Sequence, residues 1–252
     1  MLFNIEGKRI LITGSTRGIG NILAEGLAKA GATVILNGRI REKVDAAVNL
    51  FIEQGYKALG YAFDITNASE VEHQISEIEK TLGPIDVLVN NAGIQHRAPL
   101  EEFKLEDWNK IININLTGAF IVSKAVVKGM IQRQSGKIIN ICSLQSELAR
   151  PSIAPYATAK GGLKMLTRGM ATEWAKFNIQ VNAIGPGYFK TDITRPLYEN
   201  QEFDSWLCKR TPAGRWGSPD ELIGTLIYLV SEASSFVNGQ IIYVDGGITA
   251  CI

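Results

Sequence analysis

The sequence predicts an α/β protein with a doubly wound parallel sheet, and three observations carry that reading. Short runs rich in Ile, Val and Leu alternate with longer stretches of helical length. Most of the short runs are continuously apolar, as strands buried on both faces of a parallel sheet are, whereas half-exposed strands alternate with period two. The 252 residues, 46% of them apolar, suffice for one complete core.

Taken in order, Lys8–Thr13 (KRILIT) is the first strand. Thr33–Asn37 (TVILN), Ala58–Phe63, Asp86–Asn90 (DVLVN), Lys137–Cys142 (KIINIC), Ile179–Ile184 (IQVNAI) and Gln240–Val244 (QIIYV) are the others, seven in all. Between them Gly20–Ala30, Ala68–Leu82, Asp107–Arg133, Pro155–Phe177 and Pro219–Ser231 are long enough for crossover helices. That alternation gives one α/β domain over residues 1–252 with right-handed crossovers and helices on both faces. The one irregular stretch is 185–217, rich in Gly, Pro and aromatics. Long excursions of this kind are usually functional, so 187–217 is expected to be a substrate loop.

Composition removes several function classes. With 26 Lys+Arg against 25 Asp+Glu there is no cationic excess to hold nucleic acid by its phosphates. Apolar content this high at a net charge of +1 is not that of a disordered chain. Nowhere do about 18 uncharged apolar residues run together as a membrane span needs. The opening MLFNIEGKRILITG has no basic segment followed by a long apolar one. Cys142, Cys208 and Cys251 are widely spaced, and His73 and His96 do not pair at metal-ligand spacing. The expectation is a reduced, cytoplasmic protein that binds a small molecule and no metal.

The first strand runs into Thr13-Gly14-Ser15-Thr16-Arg17-Gly18-Ile19-Gly20 and then a helix. Glycines there permit a tight turn and close approach of backbone N–H groups, and the helix N-terminus favours a pyrophosphate. A glycine turn alone is also compatible with packing; its place between first strand and first helix points to a dinucleotide. The second strand ends Leu36-Asn37-Gly38-Arg39, without the carboxylate that binds the ribose 2′-hydroxyl of NAD. Arg39 and Arg17 can instead converge on a 2′-phosphate, so NADP is expected ahead of NAD; the alternative is two solvated arginines.

Tyr156 and Lys160 are four apart and share a helix face. Ser143 ends the fifth strand at the carboxyl edge, where such sheets bind ligands. Reducing a ketone needs an acid at the carbonyl oxygen as hydride reaches carbon, and oxidation needs the same group as base. A free tyrosine titrates near about 10. A neighbouring ammonium favours the phenolate, so Lys160 is expected to lower Tyr156. Cys142 lacks a basic partner that would make it a nucleophile.

The spacing T-G-x-x-x-G-x-G joins Asn90-Asn91-Ala92-Gly93 after the fourth strand, Asn113-Ile114-Asn115-Leu116-Thr117-Gly118, Ser143, Tyr156-Ala157-Thr158-Ala159-Lys160 and Pro186-Gly187. Over the whole chain this set resembles the short-chain dehydrogenase/reductase family. The resemblance implies a Rossmann-type fold and an NAD(P)-dependent oxidoreductase with Ser143, Tyr156, Lys160 and Asn115 as its catalytic set. Lys160 would also bind the nicotinamide ribose, Ser143 would orient the substrate oxygen, and Asn115 would hold a water in a proton relay. Cofactor contacts are implied for Gly14, Ser15, Thr16, Arg17, Gly18, Ile19, Gly20, Asn37, Arg39, Asp64, Ile65, Asn91, Ala92, Gly93, Tyr156, Lys160, Pro186, Gly187 and Thr191. Gly185 departs from the family's usual Ala, with little consequence expected. The family usually forms tetramers, so a homotetramer is expected.

The segments Gly93–Arg97, Asn140–Arg150, Gly187–Thr191 and Trp206–Gly217 resemble the branch of that family that interconverts D-gluconate and 5-keto-D-gluconate. A sugar acid needs many hydrogen-bond partners and a cation for its carboxylate. Gln95, Arg97, Gln145, Glu147 and Arg150 stand around the mouth of the site, with Ser143 and Tyr156 at the reacting oxygen. For Arg97 and Arg150 a surface or intersubunit position is the alternative. Glu147 fits beside an anionic substrate only if it meets a sugar hydroxyl, an arginine or a cation. Trp206 and Trp216 are expected to pack the loop, and His73 and His96 stay outside the chemistry. Two other functions compete: reduction of a 3-oxoacyl thioester, and a non-catalytic dinucleotide-binding regulator.

Overall fold

The computed structural model describes residues 2–191 and 194–251. Seven parallel strands form one sheet: β1 (Arg9–Ile12), β2 (Thr33–Gly38), β3 (Ala58–Ala62), β4 (Val87–Asn90), β5 (Gly136–Ile141), β6 (Ile179–Pro186) and β7 (Ile241–Val244). Their order is β3-β2-β1-β4-β5-β6-β7. The chain therefore winds outward from β1 in one direction and from β4 in the other. Their carboxyl ends part at this switch point, which is where open sheets of this kind bind ligands.

Strand side chains alternate between faces, and each face has its own core. Ile10 and Ile12 pack with Leu23 and Leu27 of α1 (Gly18–Lys29) and with Leu226 and Leu229 of α9 (Ile223–Val230). Leu11, one residue between them, points to the other core with Ile75 and Ile78 of α3 (Ala68–Leu82) and Val122 and Val126 of α5 (Gly118–Arg133). Each such buried aliphatic side chain contributes roughly 1.5–3 kcal/mol by leaving water. The α3 helix begins at Asn67, whose side chain accepts the Glu70 N–H, and stops at Gly83, whose φ of 82° closes the helix in a conformation suited to glycine.

The predicted helix at Asp107–Arg133 is three pieces. The α4 helix (Leu105–Ile112) passes through a π-helical turn at Asn113–Thr117 into α5. By length and composition the whole run could cross a membrane, but half of its most apolar window is buried inside the fold. It is a core helix, and α3 and α6 (Ala154–Trp174) pack beside it. The structure also adds α2 (Arg41–Glu53), which buries only Val44, Ala47 and Phe51. The stretch read as irregular contains two helices, α7 (Arg195–Tyr198) and α8 (Gln201–Arg210), the second capped by the Asn200 side chain on the Phe203 N–H.

At the edge of the sheet opposite the switch point, Lys137 of β5 is 4% exposed. Its Nζ donates to Gln180 Oε1 at 2.9 Å and Ser234 Oγ at 3.3 Å. Burial pushes its pKa down to about 8. A lysine depressed in the fold disfavours the folded state while charged. That penalty is complete below about pH 8 and is relieved as pH rises toward the unfolded value of about 10.4. Wild type should therefore gain stability relative to Lys137→Met, by at most about 1.4 kcal/mol per pH unit between about pH 8 and 10. Urea unfolding of both proteins across that range measures the difference, and parallel profiles would remove the assignment.

Candidate active site

The switch point is built on two interlocked loops. Thr13 Oγ1, at the end of β1, accepts the N–H groups of Asn91 and Ala92 at 3.0 and 3.1 Å. Asn91 Nδ2 returns hydrogen bonds to the carbonyls of Thr13 and Gly14 at 2.9 and 3.1 Å. Gly14 has φ 63°, and a Cβ there would lie 2.8 Å from the Ala92 Cα, so only glycine lets the loops close. Gly18 also has a positive φ of 61° but faces open space. The α1 helix starts there with no capping side chain and no acid in its first turn, leaving its positive end available to an anion. Arg17 and Arg39 are exposed beside this loop. Thr16, between them, is 2.8 Å from where a Gly38 Cβ would stand.

Two residues expected among the cofactor contacts are corrected by their burial. Ser15 is 0% and Asn37 1% exposed, so neither has surface to offer a ligand. Ser15 Oγ donates to the Ile12 carbonyl at 2.8 Å and accepts the Asn37 N–H at 3.0 Å. Asn37 Oδ1 accepts the Gly14 N–H at 3.2 Å, while its Nδ2 donates to the Tyr61 and Phe63 carbonyls. Both residues shape the glycine loop from beneath. The Ile65 side chain belongs to the core, where it packs against Gly118. Asp64 remains partly open, with Oδ1 held by the Thr66 N–H at 2.9 Å and its hydroxyl at 2.7 Å. Pro186 is buried, Gly187 lies against Asp245, and Thr191 is tied to the Thr194 hydroxyl.

Ser143, Tyr156 and Lys160 do come together. Ser143 follows β5, and its Oγ donates to Gln145 Oε1 at 2.8 Å while accepting the Gln145 N–H at 3.2 Å. The Ser143 hydroxyl also stands close enough to the Tyr156 phenol to favour its ionised form. Burial pushes the Tyr156 phenol up to about 12, the Ser143 hydrogen bond acting against the rise. Lys160, expected to lower it, is not among the groups acting on the phenol in this arrangement. The Lys160 ammonium lies 5.8 Å from the Tyr156 ring centroid and donates to the Ile141 carbonyl at 2.6 Å. A buried ammonium must find an acceptor, and the strand end supplies one. Burial lowers the Lys160 pKa as well.

Asn115, expected to hold a water, sits buried in the π turn with its side chain already committed. Its Oδ1 accepts the Ile94 N–H at 2.7 Å and its Nδ2 donates to the Ile94 carbonyl at 2.8 Å. The carboxamide thus clamps the loop after β4, which carries Gly93, Gln95 and Arg97. π turns inside α-helices are frequent at functional sites, and this one aims the clamp.

Among the expected substrate residues, Arg97 and Arg150 are neighbours. Burial lowers the Arg97 pKa and the charge of Arg150 lowers it further. Arg97 Nη2 reaches Gln95 Oε1 at 3.5 Å, whereas Arg150 donates to Tyr188 Oη at 3.1 Å and lies 5.0 Å over the Phe203 ring. Among the described residues neither guanidinium forms an ion pair with a carboxylate. Glu147 is corrected: it points away to Lys164, with which it pairs closely, and to Tyr243 Oη at 2.9 Å. Tyr188 and Phe203 were not among the expected site residues, and no local spacing signals them, because they meet Arg150 only through the fold.

The expectations outside the chemistry fare variously. Trp216 is buried, T-shaped against Tyr188 and Tyr198, and donates to Asp204 Oδ1 at 2.7 Å. Trp206 stays half exposed against Phe203. His96 lies 3.7 Å from Asp107 and edge-on to Phe103. The buried Cys142 thiol is pushed up to about 11, far from a thiolate nucleophile.

With glycine loop, Ser143, Tyr156 and Lys160 in this arrangement, the chain belongs to the short-chain dehydrogenase/reductase family. A family model described as enoyl-(acyl carrier protein) reductase matches residues 14–249. More particularly, the chain is 53% identical over 251 residues to gluconate 5-dehydrogenase of Gluconobacter oxydans, covering 100% of this chain and 98% of that protein. It is 52% identical to 2-dehydro-3-deoxy-D-gluconate 5-dehydrogenase of Formosa agariphila, covering 100% and 96%. Among solved structures, a gluconate 5-dehydrogenase from Burkholderia cenocepacia in complex with NADP and tartrate superposes with a TM-score of 0.97 at 52% identity, covering 100% of this chain and 98% of that one.

Proposed function

We propose that this oxidoreductase uses NADP to interconvert D-gluconate and 5-keto-D-gluconate. The observation that carries the substrate class is the Arg97–Arg150 pair, two adjacent cations held by a glutamine, a tyrosine and an aromatic face. Like charges kept together without a counter-ion among the described residues suit a ligand carboxylate, which a guanidinium binds with charge-assisted hydrogen bonds. A 3-oxoacyl thioester offers no such carboxylate. The identity to the Gluconobacter enzyme supports the same reading.

The residues present fit the dinucleotide. The open first turn of α1 and the backbone at Gly18 would take the pyrophosphate, with Gly14 letting the loop lie close, and Arg17 and Arg39 the 2′-phosphate, with Asp64 toward the adenine. NADPH supplies the hydride when bound. Tyr156 then delivers its proton to the substrate's C5 oxygen in reduction and removes it in oxidation, and Ser143 holds that oxygen in line. Lys160, turned from the Ile141 carbonyl toward the phenol and the ribose, favours the phenolate when the reaction runs as oxidation. Asn115 acts through Ile94, holding the loop that presents Arg97.

A second substrate reading, 2-dehydro-3-deoxy-D-gluconate, draws support from the Formosa relative. That acid shares the carboxylate and the C5 oxygen, the two ends that the arginines and Tyr156 would read. We further propose a cytoplasmic homotetramer: the described cysteines are free, and Leu105, Phe120 and Met165 on α4, α5 and α6 expose apolar surface that a second copy would cover.

Following NADPH absorbance tests the whole reading: its loss with 5-keto-D-gluconate or an acetoacetyl thioester, and its gain from NADP with 2-dehydro-3-deoxy-D-gluconate, whose C5 is already at the alcohol level. The gluconate reading expects fast loss with the first, and Tyr156→Phe should lower kcat by about 10²-fold or more while NADPH still binds. Turnover confined to the thioester would overturn the substrate. Arg97→Met or Arg150→Met should raise KM for the keto acid by about 10-fold or more, the worth of a charge-assisted contact, and leave reduction of an uncharged ketone unchanged. For the cofactor, Arg39→Ala should lower the NADPH-to-NADH ratio of kcat/KM by about 10-fold or more; an unchanged ratio would remove Arg39 from the phosphate site.

A further inference from the structure

Gly185, whose departure from Ala was expected to matter little, stands beneath a ring. It is paired in register with Tyr243 across β6 and β7, and a Cβ at 185 would lie 2.4 Å from Tyr243 Cδ1 and 2.5 Å from Cε1. The missing side chain lets the tyrosine ring lie on the β6 backbone. From there its hydroxyl donates to Glu147 Oε1 at 2.9 Å, and the same carboxylate oxygen pairs with Lys164 of α6. The Lys164 side chain is 16% exposed and that of Glu147 38%, so the lysine end of the pair is the one withdrawn from water. The negative carboxylate and burial both raise the Tyr243 phenol, which therefore remains a donor.

Glu147 closes the short 3₁₀ turn Leu144–Ser146, and Ser143 is the capping residue at its start. Within the turn Ser146 Oγ donates to the Lys160 carbonyl at 3.0 Å. The turn that carries Ser143 and Gln145 is thus fastened to β7 through the Glu147 carboxylate, and to α6 through that carboxylate and Ser146.

We propose that Gly185, Tyr243, Glu147 and Lys164 form a latch that positions Ser143 and Gln145 for the reaction, with Glu147 as its central positioning residue. The proposal rests on the reading of Ser143 as the residue holding the substrate oxygen. Glu147 touches no reacting atom. It fixes the turn, and through the turn the direction in which Ser143 offers its proton. Gly185 is part of the latch because any side chain there displaces the ring that carries the donor.

The test is steady-state kinetics with NADPH and 5-keto-D-gluconate on the full-length protein, together with NADPH binding by fluorescence. Tyr243→Phe keeps the ring on Gly185 and removes only the hydroxyl; Glu147→Gln weakens the ion pair; Gly185→Ala displaces the ring. Each should lower kcat by about 10-fold, the effect of about 1.4 kcal/mol of lost transition-state alignment, with the NADPH Kd within about twofold of wild type. Because all three act through one carboxylate, Tyr243→Phe combined with Gly185→Ala should lose no more than the worse single variant. Unchanged kcat in Tyr243→Phe and Glu147→Gln, multiplied losses in the double variant, or loss of NADPH binding alongside activity would each overturn the latch. Absence of keto acid turnover in the wild type itself would instead overturn the substrate reading on which it stands.

Discussion

The close approach of two backbones at the switch point is the constraint on which the rest of the site depends. β1 and β4 are neighbours in the sheet, and the loops leaving them would collide if residue 14 carried a Cβ, 2.8 Å from the Ala92 Cα. Their N–H groups and carbonyls are satisfied mutually by the side chains of Thr13 and Asn91. From beneath, Asn37 spends its whole carboxamide on Gly14, Tyr61 and Phe63. Unpaired buried polar groups would cost about 1–3 kcal/mol each, so this saturation is what permits a glycine loop, otherwise entropically loose, to hold one shape. An anion then meets the uncapped N–H groups of the first turn of α1 already held in place.

Buried cations are handled differently at the two ends of the same sheet. Lys137 is bonded to two neutral acceptors, Gln180 and Ser234, with the charges of Glu232 and Lys8 acting on it from further off. Lys160 is held by the Ile141 carbonyl alone among the described hydrogen bonds, with the Tyr156 ring at its side. One acceptor suffices to keep the ammonium in the fold but leaves its other donors to be claimed, a difference that suits a lysine required to redirect its charge.

The fold was legible because burial on both faces writes itself into continuous apolar runs. The helix at Ala68–Leu82 matches its sequence reading to the residue, and the strands agree within a residue or two. The meeting of Ser143, Tyr156 and Lys160 was legible too, since a helical spacing of four and a strand end are local facts. What the sequence hid were partners made by the fold. Glu147 looked like a substrate ligand because Tyr243 lies 96 residues away and Lys164 17. Ser15 and Asn37 looked like cofactor contacts because loop membership says nothing about which side of the loop is under the sheet. Gly185 looked neutral because the ring that fills its missing side chain sits on another strand.

The protonation state of Tyr156 gives the proposed reaction a direction in which it starts ready. With its pKa at about 12, the phenol is neutral at physiological pH and already carries the proton that reduction requires. Oxidation demands the phenolate, and ionising a group at about 12 near neutrality takes roughly 7 kcal/mol. An ammonium brought to about 4 Å at an effective dielectric of about 20 returns about 4 kcal/mol. That is more than half of the gap, and it comes on top of the Ser143 effect already contained in the raised value. The contribution hinges on geometry, because Lys160 must leave the Ile141 carbonyl to make it. The site is thus loaded as an acid and becomes a base only when Lys160 exchanges that hydrogen bond for a place beside the phenol.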